Sequence, residues 1–151
     1  MNNKKFSPRV KKIISYSRDE ALRLGHDYIG TEHLLLGVLK DKDSLAVKVL
    51  KSMDIDLNEI KYKVEENTSS NKSGDTTLNV GNIPLNKQAE KVLKVTFLEA
   101  KMYKNDEISP EHLMLSILRH KDNLAAKVLY EYDIDYENFK SELEYVNQEE
   151  S

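Results

Sequence analysis

The chain contains no cysteine. Disulfides, thiolate nucleophiles and cysteine-ligated zinc or iron–sulfur sites are thereby excluded, and a reducing cytoplasm is the expected setting, although a chain of this length can also lack cysteine by sampling alone. Positive charge is not in surplus either. The 23 Lys and Arg against 26 Asp and Glu give a net charge of −3, with both signs mixed along the chain. Without a basic stripe to neutralise a phosphate backbone, no nucleic-acid partner is expected. No window approaches the roughly 20 apolar residues that a membrane span needs, and the stretch from Met1 to Pro8 has no apolar core of signal-peptide length, so a soluble, cytoplasmic protein without a membrane partner is expected.

Catalytic signatures are missing as well. With 5 glycines and no G-x-x-x-x-G-K-[ST] loop, the chain lacks phosphate-cradling machinery; Lys72-Ser73-Gly74 follows no strand, and ATP hydrolysis is not expected of this chain. No G-x-S-x-G elbow and no H-E-x-x-H pair occurs. Glu32-His33 and Glu111-His112 resemble metal pairs only superficially. Adjacent helical positions diverge by about 100°, so the two side chains cannot share one ion. A histidine packed at a helix start and bonded to a backbone group is the better reading, and no metal is expected.

What the chain does contain is a duplication. Glu32-His33-Leu34-Leu35-Leu36-Gly37-Val38-Leu39 returns as Glu111-His112-Leu113-Met114-Leu115-Ser116-Ile117-Leu118, and Asp54-Ile55-Asp56 as Asp133-Ile134-Asp135, at a constant offset of 79 positions. A fixed offset over that length marks a repeated structural unit. Within the first unit, Ser7-Pro8 starts a helix whose buried face is Val10, Ile13, Ile14, Ser17, Ala21 and Leu24, and Gly25 ends it. A second helix, capped by Thr31, is apolar nearly all round and is expected at the centre. Ser44 and Asp56 cap a third and a fourth. The second unit repeats this with Asn86, Ser109-Pro110, Asn123 and Asp135 at its four helix starts.

The segment between them is polar and reads as a partly disordered linker, with a short extended piece at 76–80. The predicted organisation is a first repeat at 1–65, a linker at 66–82, a second repeat at 83–146 and a fraying tail at 147–151. Four short helices enclose little interior. The two units are therefore expected to pack as one all-α, pseudo-two-fold domain.

One arrangement could carry binding chemistry. The helix start at Ser7, Pro8 and Arg9 offers unpaired N–H groups, a hydroxyl and the positive end of a helix dipole, which favours phosphate or carboxylate. Glu32, in the first turn of the second helix, could receive a guanidinium. Side by side, the two starts would hold one ligand bearing both charges; otherwise Ser7 is only a cap and Glu32 only a favourable first-turn acid.

Phe6-Ser7-Pro8-Arg9-Val10, Glu20-Ala21-Leu22-Arg23-Leu24-Gly25-His26, Ile29-Gly30-Thr31-Glu32-His33-Leu34-Leu35-Leu36-Gly37 and Glu111-His112-Leu113 together resemble the Clp repeat domain at the amino terminus of Hsp100/Clp AAA+ unfoldases, nearest the ClpC type. The resemblance implies a non-catalytic module that receives adaptors of the MecA type and unfolded or phosphoarginine-marked substrates for the ClpP peptidase. It implies no cofactor in this chain, ATP and Mg belonging to the ATPase modules of the parent, and a monomeric isolated domain. Carried over by residue, one phosphoarginine pocket uses Ser7, Pro8, Arg9 and Glu32, and a second uses Leu85, Asn86, Lys87 and Glu111.

The second pocket is expected to be degenerate. Where the family usually carries Thr-Pro-Arg and Gly-Thr-Glu-His, this chain has Asn86-Lys87-Gln88 and Ser109-Pro110-Glu111-His112, losing a hydroxyl and an N–H. A stand-alone Clp-repeat protein that tethers to or modulates a Clp protease is an alternative, as is a purely structural helical module.

Overall fold

The computed structural model describes residues 5–68, 83–104 and 106–150. The extended piece expected at 76–80 lies outside them. The described chain runs β1 (Lys5–Phe6), α1 (Pro8–Arg23), α2 (Thr31–Lys40), α3 (Leu45–Ser52), α4 (Leu57–Asn67), α5 (Lys87–Met102), β2 (Glu107–Ile108), α6 (Pro110–Arg119), α7 (Leu124–Tyr130) and α8 (Tyr136–Glu150). Helix α4 thus reaches Asn67, and α8 continues through 147–150.

Local chemistry sets the helix ends. Ser7 accepts from Val10 N–H at 3.2 Å with Pro8 at the first helical position, and Ser44, Asn86 and Asn123 cap α3, α5 and α7 in the same way. Asp56 and Asp135 each accept from an N–H in the first turn that follows. Gly25, at φ 79°, closes α1, and His26 N–H bonds back to the Ala21 carbonyl at 2.8 Å. The cap of α2 is Gly30, not Thr31. Glycine brings no capping oxygen, and the ring of His33 instead accepts the Gly30 N–H at 2.8 Å; His112 does the same for Ser109 N–H at 2.9 Å.

Helices α2 and α6 form the centre. Every residue from Thr31 to Leu39 is buried. Helix α1 packs along α2 and α5 along α6, but α3 packs on α8 and α4 on α7, across the repeats. One apolar cluster accordingly draws on both halves, from Ile13, Leu35 and Leu50 to Leu115, Leu129 and Phe139. Among the described residues the domain is all-α apart from two very short parallel contacts. Strand β1 pairs with β2, and Ile29 bridges to Leu85.

These contacts fix which helix starts meet. The segment before α1 lies beside the segment before α6, with Ser7 N–H donating to the Ile108 carbonyl at 2.9 Å. The segment before α5 lies beside that before α2, with Asn86 N–H donating to the Ile29 carbonyl at 2.9 Å. Each repeat therefore presents its first helix start to the other repeat.

Candidate functional site

The crossing corrects the pairing expected from the sequence. Ser7, Pro8 and Arg9 share an open groove of about 780 Å³ with Glu111 and Glu107, while Glu32 stands with Asn86 on the other side of the pseudo-two-fold relation. The physical reason is that β1 adds to β2 rather than to the chain before α2, so the partner of each start comes from the opposite repeat.

In this groove one wall is mixed in charge, with Asp41, Asp43 and Lys48 beside the start of α1. The start of α1 supplies its dipole, Arg9 and Lys12. Ser7 has spent its oxygen on Val10 N–H and Pro8 has no donor, but the Arg9 N–H has no intrahelical acceptor. Arg9 also reaches Asp41 Oδ1 at 2.7 Å, an exposed pair that fixes the guanidinium at the groove wall. The second oxygen of Asp41 is buried without a hydrogen-bond partner. The opposite wall is acidic. Glu111 is partly buried, and among the described residues no cation or side-chain donor reaches its carboxylate. Burial pushes the Glu111 carboxyl up from its ordinary range, and its own backbone N–H opposes the shift only in part. A carboxylate destabilised in this way gains from an incoming cation.

The second constellation differs. Glu32 is buried and accepts from the Tyr28 hydroxyl at 3.0 Å, and its other oxygen lies against Gly30, beside the Asn86 amide. Burial first, and then the charge of Glu32, push the Tyr28 phenol up to about 12, so it remains a donor. The position equivalent to Tyr28 in the open groove is Glu107. By the start of α5, Lys87, Gln88 and Lys91 line only a shallow depression of about 140 Å³. Leu85 belongs to the bridge with Ile29 and to an apolar hollow with Phe6 and Ile14 rather than to this depression. Of these two constellations, one is an open bipolar groove and the other an acid already bonded by a phenol.

Two features escaped the sequence. His33 Nε2 lies 2.7 Å from His26 Nδ1; because His33 Nδ1 accepts from Gly30, its proton sits on Nε2 and is donated to His26. Burial, with the neighbouring His26, lowers the His33 pKa to about 4. The only sequence signal for this contact is the seven-residue spacing across a turn. The other is Glu20, which is buried and bonded by Arg23 at 2.8 Å and Lys40 at 3.2 Å. Burial raises its carboxyl, but the bonds from Arg23 and Lys40 outweigh that and hold it below the usual range. Among the described residues no group of three or more His, Cys, Asp or Glu is placed to hold a metal ion.

The structure is an interlocked, pseudo-two-fold helical domain with a bipolar groove between helix starts of opposite repeats. The chain matches the model of the Clp repeat (R) N-terminal domain over residues 5–132 and 84–150, and belongs to that family. It is 35% identical over 139 residues, 92% of its length, to the chloroplastic chaperone protein ClpC2 of Arabidopsis thaliana, and 32% identical over the same share to the ClpA homolog of the Clp protease ATP-binding subunit in Cyanidium caldarium. It spans 14% and 16% of those two relatives. Among solved structures it shares its fold with the N-terminal domain of ClpD from Arabidopsis thaliana (TM-score 0.73, 20% identity, covering 95% of this chain and 94% of that one). The Hsp104 N-terminal domain from Candida albicans has the same fold (TM-score 0.76, 14% identity, 93% and 89% covered).

Proposed function

We propose that the chain acts as the substrate- and adaptor-receiving domain of a ClpC-like unfoldase, non-catalytic in itself, and that the groove between α1 and α6 binds phosphoarginine side chains. The observation that carries this reading is the bipolar groove: the positive start of α1 with Arg9 and Lys12 on one wall, and the partly buried Glu111, without a side-chain partner among the described residues, on the other. Phosphate sits against the Arg9 N–H, Arg9 and Lys12, and the guanidinium is received by Glu111. A guest with one charge uses one wall and leaves the other uncompensated. Glu107 adds to the cation-receiving side, and Asp41 restrains Arg9.

Membership of the Clp repeat family supports the wider role. In it, adaptors of the MecA type, unfolded or arginine-phosphorylated substrates, the ClpP peptidase and a cytoplasmic setting are further parts of the same proposal, with ATP and Mg handled by modules outside this chain. Calorimetric titration with free phosphoarginine, arginine and inorganic phosphate tests the site. Saturable binding of phosphoarginine, at least about tenfold tighter than either fragment, is expected from two charge-assisted contacts. Equal binding of phosphate alone would reduce the groove to an anion site.

A further inference from the structure

A second groove, of about 660 Å³, lies between the C-terminal ends of α1 and α2 and the start of α4, adjoining the first at Tyr16. Its floor is apolar: Leu36 and Leu39 are buried, and Ile55 and Leu57 are half-buried. Its rim carries Lys42, Lys51 and Lys61, all exposed and, among the described residues, without an acidic partner. The acids that line it are already committed. Glu20 is bonded by Arg23 and Lys40, and Asp56 accepts the Asn58 N–H at 2.9 Å to cap α4. Lys40 is spent on Glu20 and on the face of the Tyr16 ring. With Lys40, Lys42, Lys51 and Lys61 against Glu20 and Asp56, the lining keeps a surplus of two positive charges above an apolar floor.

The other repeat narrows the same place. Tyr136 stands where the first repeat has Leu57, and its hydroxyl donates to Glu99 at 2.8 Å. Arg119, in place of Lys40, lies over the Tyr136 ring at 4.4 Å and bonds Glu99. Tyr130 replaces Lys51, and the remaining hollow is about 360 Å³. The same place is thus wider in the first repeat, about 660 Å³ against about 360 Å³, and carries more lysines there.

We propose that this groove docks an acidic segment of a partner protein, with apolar side chains on the leucine and isoleucine floor and carboxylates toward Lys42, Lys51 and Lys61. Charge complementarity selects the acid, and the floor demands an apolar anchor, which distinguishes the site from a general polyanion surface. The site does not depend on the phosphoarginine reading.

The test uses the 151-residue chain and a fluorescent peptide alternating glutamate pairs with leucine. Lysine-for-glutamate, leucine-free polyglutamate and single-stranded DNA serve as competitors. Saturable binding is expected, weakened about tenfold by Lys42→Gln, Lys51→Gln and Lys61→Gln together, each exposed charge contributing a small share. Binding should survive Lys121→Gln with Lys127→Gln, and excess free phosphoarginine. On the unsubstituted protein, amide chemical-shift changes should centre on Leu39, Ile55 and Leu57. Absence of saturable binding, shifts elsewhere, an equal loss in the second-repeat variant, or competition by polyglutamate or DNA as strong as by the acidic-apolar peptide would overturn the proposal. Loss of peptide binding with phosphoarginine binding intact would sink this site alone.

Discussion

A single carboxylate carries a trade-off between binding and stability. Glu111 has its pKa raised by burial, so the folded state holds that proton more tightly than the unfolded chain does. Its ionisation therefore costs stability, a cost that sets in as pH rises through the ordinary carboxylate range and is complete once pH has passed the raised pKa. Glu111→Gln is expected to raise the thermal midpoint at pH 7 while weakening phosphoarginine binding about tenfold to a hundredfold, the worth of a charge-assisted contact. A lowered midpoint together with unchanged binding would mean that the acid is structural. His33 has the opposite sign. Its pKa falls from 6.5 to about 4, so the unfolded chain takes up the proton first. The contribution is whole above pH 6.5 and is lost as pH falls toward 4, amounting to roughly 3 kcal/mol. Denaturant melts at a series of pH values should show this loss beginning above pH 5, where ordinary carboxylates contribute little, and His33→Gln should remove it. The sequence placed His33 and His112 at helix starts bonded to backbone, which the structure bears out; the His26–His33 contact was hidden because it crosses a turn.

At the scale of elements, the two halves solve the same packing problem with different residues. A Cβ at Gly37 would fall 2.6 Å from the Ile13 carbonyl and closer still to the Ser17 hydroxyl. The equivalent residue of α6, Ser116, instead donates to the Val92 carbonyl at 2.6 Å, which Thr96 also reaches at 2.7 Å. Gly37→Ala should thus force α1 from α2 and cost about 1–3 kcal/mol by chemical denaturation, as overpacking does. An unchanged midpoint would show that the pair has slack. The turn after α5 is weaker than its twin after α1: Lys104, at φ 56°, stands where the first repeat has Gly25 at φ 79°. Lys104→Gly should stabilise by about 0.5–1 kcal/mol, because only glycine holds that conformation without steric cost. Helix positions and most caps were legible because periodicity and capping chemistry are local. The cap at Gly30 was not, because its oxygen-free solution borrows a ring from the next turn.

For the whole molecule, the decisive fact is interlocking. The duplication was plain in the text, and with it the pseudo-two-fold all-α fold. Which start faces which acid was not, since it depends on pairs of residues too short to read as strands, Lys5–Phe6 with Glu107–Ile108. Neither repeat can bury its own apolar faces while α3 leans on α8 and α4 on α7. A fragment of residues 1–68 should consequently show little cooperative melting by circular dichroism, whereas the full chain melts as one unit. The crossed arrangement of helix start and acid is most directly tested by measuring phosphoarginine affinity in Glu111→Ala and Glu32→Ala side by side, with circular dichroism confirming that each is folded. Loss in Glu111→Ala, with affinity and a stoichiometry of one site kept in Glu32→Ala, is the predicted result. Loss in Glu32→Ala with binding preserved in Glu111→Ala would contradict it.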